Sequence, residues 1–251
     1  MLASSIASAQ YSSEFSRLRW SDEFDNSGLP DKSNWGYETG YVRNRERQYY
    51  VEKSLDNSRC QGGFLIIEAR KETDGKITSA SLTSAGKRQF FYGRIEIRAK
   101  LPNGTGVWSS AWMQGVAGKW PRCGQIDLID FVGFEPNRVF TNVHTYGSVR
   151  LPSNKKSPIV NAWSAQCGTL STDFHVYAIE WHPDRLKFFL DEKLVAEYAK
   201  DSGYPDFWAF DKPTYLVLSL AIGGTFGGQR GIDELIFPAK YYIDYVRYYT
   251  R

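Results

Sequence analysis

The chain is patterned with a period of two along most of its length. In residues 91–100, Ile95, Ile97 and Ala99 fall on one side and Arg94, Glu96, Arg98 and Lys100 on the other. Successive side chains of a strand point to opposite faces, so this alternation predicts a strand with one buried and one wet face. Residues 64–70, 174–181 and 215–222 are denser in β-branched, aromatic and aliphatic side chains and predict further strands. Segments 185–190 and 194–198 flank Asp191, Glu192 and Lys193 and predict a hairpin, and 241–249 predicts a closing strand. No stretch carries a convincing amphipathic-helix pattern. Residues 147–158, rich in Gly, Ser and Pro, predict a surface loop. Many short strands separated by turns define an all-β sandwich or barrel.

Composition narrows the reading. A chain of 251 residues fits one large all-β domain and buries enough surface to fold without a disulfide or metal scaffold. Residues 13–251 are therefore taken as one domain. Residues 1–12 contain Ala7, Ser8 and Ala9, an A-x-A cleavage pattern, and read as the tail of a signal peptide. That implies a secreted, periplasmic or cell-surface protein, expected to be a monomer. A net charge of +3 without long like-charge runs gives no nucleic-acid surface, and no apolar run is long enough for a membrane-spanning helix. Cys60, Cys123 and Cys167 are odd in number and lack a CxxC pair, so at most one bridge forms. Aromatics make up 16% of the chain, more than a core of this size requires. Flat rings also suit the apolar faces of sugars.

The stretch with chemistry is Trp120-Pro-Arg-Cys-Gly-Gln-Ile-Asp-Leu-Ile-Asp-Phe-Val-Gly133. On a strand Gln125 and Asp127 share a face, whereas Asp130 points the other way. One extra residue at Leu128–Ile129, a β-bulge, brings Asp130 back beside them. A merely wet strand face would show the same residues. Their setting among Trp108, Trp112, Met113 and Trp120 argues for a cleft instead. His144, on a neighbouring strand, would reach this group, although a structural histidine would look the same in sequence.

This stretch resembles the active-site strand of glycoside hydrolase family 16, in its laminarinase-like branch, which reads Glu-Ile-Asp-(Ile/Leu)-x-Glu after Trp-Pro and before an aromatic, Val and Gly. The resemblance runs from Trp20-Ser-Asp-Glu-Phe-Asp25 to Tyr242-Ile-Asp-Tyr-Val-Arg-Tyr248 and includes Arg43-Asn-Arg45, Trp108-Ser-Ser-Ala-Trp112 and Val143-His-Thr-Tyr146. It implies a concanavalin A-like jelly-roll β-sandwich of two antiparallel sheets with an open substrate cleft. It also implies retaining endo-cleavage of β-1,3- or mixed β-1,3/1,4-glucans, a β-glucan polysaccharide or oligosaccharide as partner, and no cofactor for catalysis. By match, position 125 is the nucleophile, Asp127 its assisting carboxylate and Asp130 the acid/base position. Arg43, Asn44, Trp108, Trp112, Trp120 and Ser219 fall on the sugar path. A structural calcium is implied on the convex face, with Glu23, a carbonyl near Gly63, and Asp244 as ligands.

Two departures alter the chemistry. Gln125 has the shape of glutamate but no anionic oxygen with which to attack an anomeric carbon. Asp130 is one methylene shorter than the glutamate of the pattern. Without a charge at position 125, Asp130 is also expected to be less readily protonated near neutral pH. Ser219 stands where the family usually has Asn, and Thr225-Phe226 where it has Asn-Trp, so the sugar subsites differ. The sequence thus predicts a glucanase scaffold that binds without cutting or, alternatively, a naturally non-catalytic β-glucan-binding module. A purely structural sandwich leaves the tryptophans around the acidic strand unexplained.

Overall fold

A computed structural model describes residues 12–151 and 161–251. The A-x-A pattern of the signal-peptide reading and most of the expected 147–158 loop lie outside the described residues. The described strands are β1 (Arg17–Asp22), β2 (Gly36–Glu38), β3 (Gln48–Tyr50), β4 (Ser58–Gln61), β5 (Phe64–Lys71), β6 (Ile77–Ser79), β7 (Ser81–Thr83), β8 (Gly93–Lys100) and β9 (Val107–Gly115). They continue with β10 (Gln125–Val132), β11 (Arg138–His144), β12 (Ala162–Gln166), β13 (His175–Trp181), β14 (Arg185–Leu190), β15 (Lys193–Ala199), β16 (Thr214–Ile222) and β17 (Ala239–Thr250). Two helical turns, α1 (Tyr146–Arg150) and α2 (Gly224–Gly227), sit at the cleft end. α1 corrects the expectation of plain loop from residue 147. Thr145 and Ser148 close a capping box there, each side chain bonding the other's backbone N–H.

The strands form two sheets, one of ten strands and one of seven, the latter ordered β12-β11-β10-β9-β16-β7-β2. All described pairings are antiparallel except β3 with β6. The core lies between the sheets, and alternation decides what enters it. Ile95, Ile97 and Ala99 of β8 and Tyr241 and Ile243 of β17 are buried in one sheet; Ala111, Met113, Leu218 and Leu220 are buried in the other. This is the all-β jelly-roll sandwich that the sequence pattern and its resemblance imply.

The predicted strands shift by a residue or two. Residues 91–100 begin as a strand only at Gly93, because Tyr92 and Gly93 both take positive φ, 56° and 96°. The backbone also passes too close for a side chain, since a Cβ on Gly93 would lie 2.3 Å from the Tyr249 carbonyl oxygen. The expected hairpin forms, with Asp191 and Glu192 as its two turn residues at φ 49° and 64°. Two positive-φ residues match the right-handed twist of the flanking strands.

Candidate active site

The seven-stranded sheet presents its other face to solvent as a cleft of about 760 Å³. Period-two alternation selects its lining: Trp108, Ser110, Trp112 and Gln114 from β9, Asn142 and His144 from β11, and Ser219 and Ala221 from β16. Met113, grouped in sequence with the cleft tryptophans, is fully buried in the core instead. Its neighbour Trp112 lines the cleft, and adjacent residues of a regular strand must face opposite ways.

β10 carries the bulge. Against β9, Asp127 pairs with Trp112 and Ile129 with Ala111, which leaves Leu128 without an opposite residue. Against β11, Asp127 pairs with Asn142 and Asp130 with Phe140. The extra residue re-phases the strand, so Ile126, Leu128, Ile129 and Phe131 are buried while Gln125, Asp127 and Asp130 all line the cleft. Thr141 secures the bulge by donating its hydroxyl to the Asp127 carbonyl at 2.5 Å.

Each of these three side chains is held at both ends. Trp120 Nε1–H donates to Gln125 Oε1 at 2.9 Å, and Gln125 Nε2 donates to Asp127 Oδ1 at 2.7 Å. Indole is only a donor and carboxylate only an acceptor, so both neighbours demand the same orientation of the amide. His144 Nε2 lies 2.9 Å from Asp127 Oδ2. Asp130 accepts from Trp108 Nε1 at 2.5 Å and from Asn142 Nδ2 at 3.1 Å.

Burial and the nearby Asp127 charge push the Asp130 carboxyl up to about 7, against the lowering effect of its Trp108 bond. Asp130 thus keeps a raised carboxyl pKa with a neutral amide at position 125. Loss of solvent, not the partner at 125, contributes most to keeping its proton. For His144 burial favours the neutral ring, but the bond and charge of Asp127 and the charge of Asp130 outweigh it, and the net shift is upward.

The remaining sugar-path residues also reach the cleft. Arg43 is ion-paired with Glu38 and lies 5.1 Å over the Trp112 ring, and Asn44 donates to Glu46 Oε1 at 3.1 Å. Trp120 is 49% exposed at the rim, free to offer a ring face. Phe226 packs edge-on against Trp108 and Phe140, with centroids 5.7 and 5.5 Å away. Sequence reasoning missed Asn142 and Glu46. Asn142 was detectable as the residue two before His144 on the same strand, but Glu46 lies in irregular chain that periodicity does not phase.

Glu23 and Asp244 do not fit a calcium ion as they stand. Arg247 donates to both Glu23 oxygens, at 3.0 and 2.9 Å, and Arg98 is paired with Asp244. Calcium takes six to eight oxygen ligands, so an ion there has to displace Arg247 from both Glu23 oxygens and share Asp244 with Arg98. Gly63 sits in the β4–β5 turn. Cys60, Cys123 and Cys167 are all free thiols.

A jelly roll whose exposed sheet face gathers carboxyl groups and indole rings into one open cleft defines a carbohydrate-active protein. The model of "Glycosyl hydrolases family 16" matches residues 44–247. A β-glucanase of Rhodothermus marinus is 43% identical over 247 aligned positions, covering 92% of this chain and 84% of that protein. The X-ray structure of the laminarinase from Rhodothermus marinus superposes with a TM-score of 0.86 at 41% identity, covering 93% and 97% of the two chains. The laminarinase from Flavobacterium sp. UMI-01 gives 0.83 at 38%, covering 93% and 100%. The chain belongs to glycosyl hydrolase family 16.

Proposed function

We propose that the chain binds β-1,3- or mixed β-1,3/1,4-glucans along the tryptophan-lined cleft, on the scaffold of a retaining endo-glucanase, and that Gln125 stops the reaction before the first bond breaks. The observation that carries this reading is the bulged strand, which aims Gln125, Asp127 and Asp130 into one cleft. Retaining hydrolysis needs a carboxylate to attack and a carboxylic acid to protonate the leaving oxygen, roughly 5–5.5 Å apart. Asp130, with its carboxyl raised to about 7, suits the proton donor near neutral pH. Position 125 suits the attacking group, yet its amide carries no anionic oxygen and no glycosyl-enzyme bond forms. Asp127, tied to both Gln125 and His144, orients the amide and would share a proton with a carboxylate placed there.

A second reading, a natural glycan-binding module, is favoured by the fit of the amide. Both of its ends are satisfied, by Trp120 and by Asp127. The test of binding without turnover is a pair of measurements on the unaltered chain: calorimetry with laminari-oligosaccharides and a reducing-sugar assay on laminarin. A calorimetric signal without sugar release is expected. Absence of binding would sink the cleft assignment.

A further inference from the structure

A second cluster of chemically able side chains lies outside the cleft. Cys167 follows β12, His175 opens β13, and Asp191 turns the β14–β15 hairpin. One ligand atom from each can be chosen so that all lie within 4.8 Å of one another. None of the three lines the cleft.

The three come from separate segments, each pinned by backbone bonds. Cys167 N–H donates to the Asn137 carbonyl at 2.9 Å, and Asp191 N–H to the Val176 carbonyl at 2.9 Å. Val176 N–H in turn donates to Asp191 Oδ1 at 2.9 Å, which leaves Oδ2 to face the imidazole. His175 Nδ1 lies 2.6 Å from Asp191 Oδ2, and Cys167 Sγ lies 3.8 Å from Nδ1, 3.7 Å from Nε2 and 3.5 Å from Thr169 Oγ1. His175 Nε2 lies 2.9 Å from Thr169 Oγ1. A structural His–Asp pair accounts for two of these residues, but not for a free thiol set against the same ring.

We propose that Cys167 Sγ, His175 Nδ1 and Asp191 Oδ2 form a binding site for a zinc-class divalent cation, which takes the place of the proton shared by His175 and Asp191. Bonds of about 2.0–2.3 Å in a tetrahedral site put neighbouring ligand atoms about 3.3–3.6 Å apart. The His–Asp separation therefore opens by under about 1 Å, and the Cys167 thiol swings from its place beside both ring nitrogens to the Nδ1 side, where Asp191 stands. Thr169 supplies the outer partner that a metal-bound imidazole needs, accepting from Nε2–H and fixing Nδ1 as the ligating nitrogen. Water fills the fourth position. Binding needs the thiolate and a ring whose proton sits on Nε2 rather than Nδ1, so protons compete with the ion and binding weakens as pH falls. The Asp191 side chain is 44% exposed, which gives the ion a way in. Once bound, the ion ties the segment after β12 to the β14–β15 hairpin.

The test uses the full chain, reduced with a non-thiol reductant and titrated with Co²⁺ and then Zn²⁺. The expected result is a thiolate-to-cobalt charge-transfer band that saturates at one equivalent and is displaced by Zn²⁺. Cys167→Ser should abolish the band, and each of Cys167→Ser and Asp191→Asn should weaken zinc binding by about tenfold or more. Asparagine tolerates the positive φ of position 191, so that variant keeps its turn. Zinc should also protect Cys167 from alkylation in the unaltered chain, read by peptide mass, and this holds whether or not the variants fold. No charge-transfer band, unprotected Cys167, or zinc binding unchanged in both variants would overturn the site.

Discussion

Gln125 and Asp127, two residues apart on β10, are joined side chain to side chain, the amide nitrogen donating to the carboxylate at 2.7 Å. Two residues along a strand span about 6.6 Å, so the pair meets only because both side chains lean together on the cleft face. Asp127 is thereby committed to its neighbour and to His144, and it charges the environment of Asp130.

That commitment is testable by removing it. Asp127→Asn deletes the like charge beside Asp130 and the partner of His144 together. The Asp130 carboxyl should then titrate below about 7, and the raised pKa of His144 should fall. Carboxyl and imidazole NMR titrations read both directly. A His144 titration unmoved by the change would mean that Asp127 does not hold it.

Trp108 combines two jobs that a conservative change separates. Trp108→Phe keeps a ring in the cleft but removes the indole N–H that lowers the Asp130 carboxyl. The carboxyl should rise further, whereas oligosaccharide affinity should fall by less than in Trp112→Ala, for which a loss of about 1–3 kcal/mol is expected. NMR titration and calorimetry provide the two readouts.

Alternation on β9 makes a paired prediction. Met113→Ala, in the core, should cost about 2–5 kcal/mol of stability and leave glycan affinity nearly unchanged. Trp112→Ala also removes a largely buried ring but should in addition weaken glycan binding. Chemical denaturation and calorimetry on both variants check it, and an equal loss of glycan affinity in both would mean that the strand faces are misassigned.

Asp130 also gives stability a pH slope. Its carboxyl titrates at about 7 in the folded chain and near 3.9 in an unfolded one. Between these values the folded chain binds more protons, so stability falls as pH rises through the window and levels off above it. Asp130→Asn should flatten this slope, because an amide binds no proton in this range, although its nitrogen meets one of the two donors that Asp130 accepts from. Urea denaturation at pH 4 and pH 8 measures it.

Much of this was legible in the sequence, for physical reasons that also mark where legibility ended. The bulge at Leu128–Ile129 could be read because Gln125, Asp127 and Asp130 cannot share a strand face without an extra residue. The β14–β15 hairpin could be read because turn residues interrupt two apolar runs. The protonation of Asp130 could not, because it depends on how much solvent the folded cleft removes, and that is set by chain distant in sequence. The arginines at Glu23 and Asp244 were hidden for the same reason, since Arg98 and Arg247 reach them only once β8, β17 and β1 are assembled. Met113 was placed in the cleft by company rather than by phase, although its neighbour Trp112 already fixed the phase.

The most direct test of the central claim is proton NMR of the first product formed from laminari-oligosaccharides by the Gln125→Glu variant, run beside the unaltered chain. The account predicts no product from the unaltered chain, because removing a nucleophile in a well-studied hydrolase costs about a millionfold. It predicts hydrolysis with retained anomeric configuration from the variant, because the restored carboxylate attacks while Asp130 donates its proton. Ordinary turnover by the unaltered chain, or inversion by the variant, would contradict the placement of Gln125 as the attacking position.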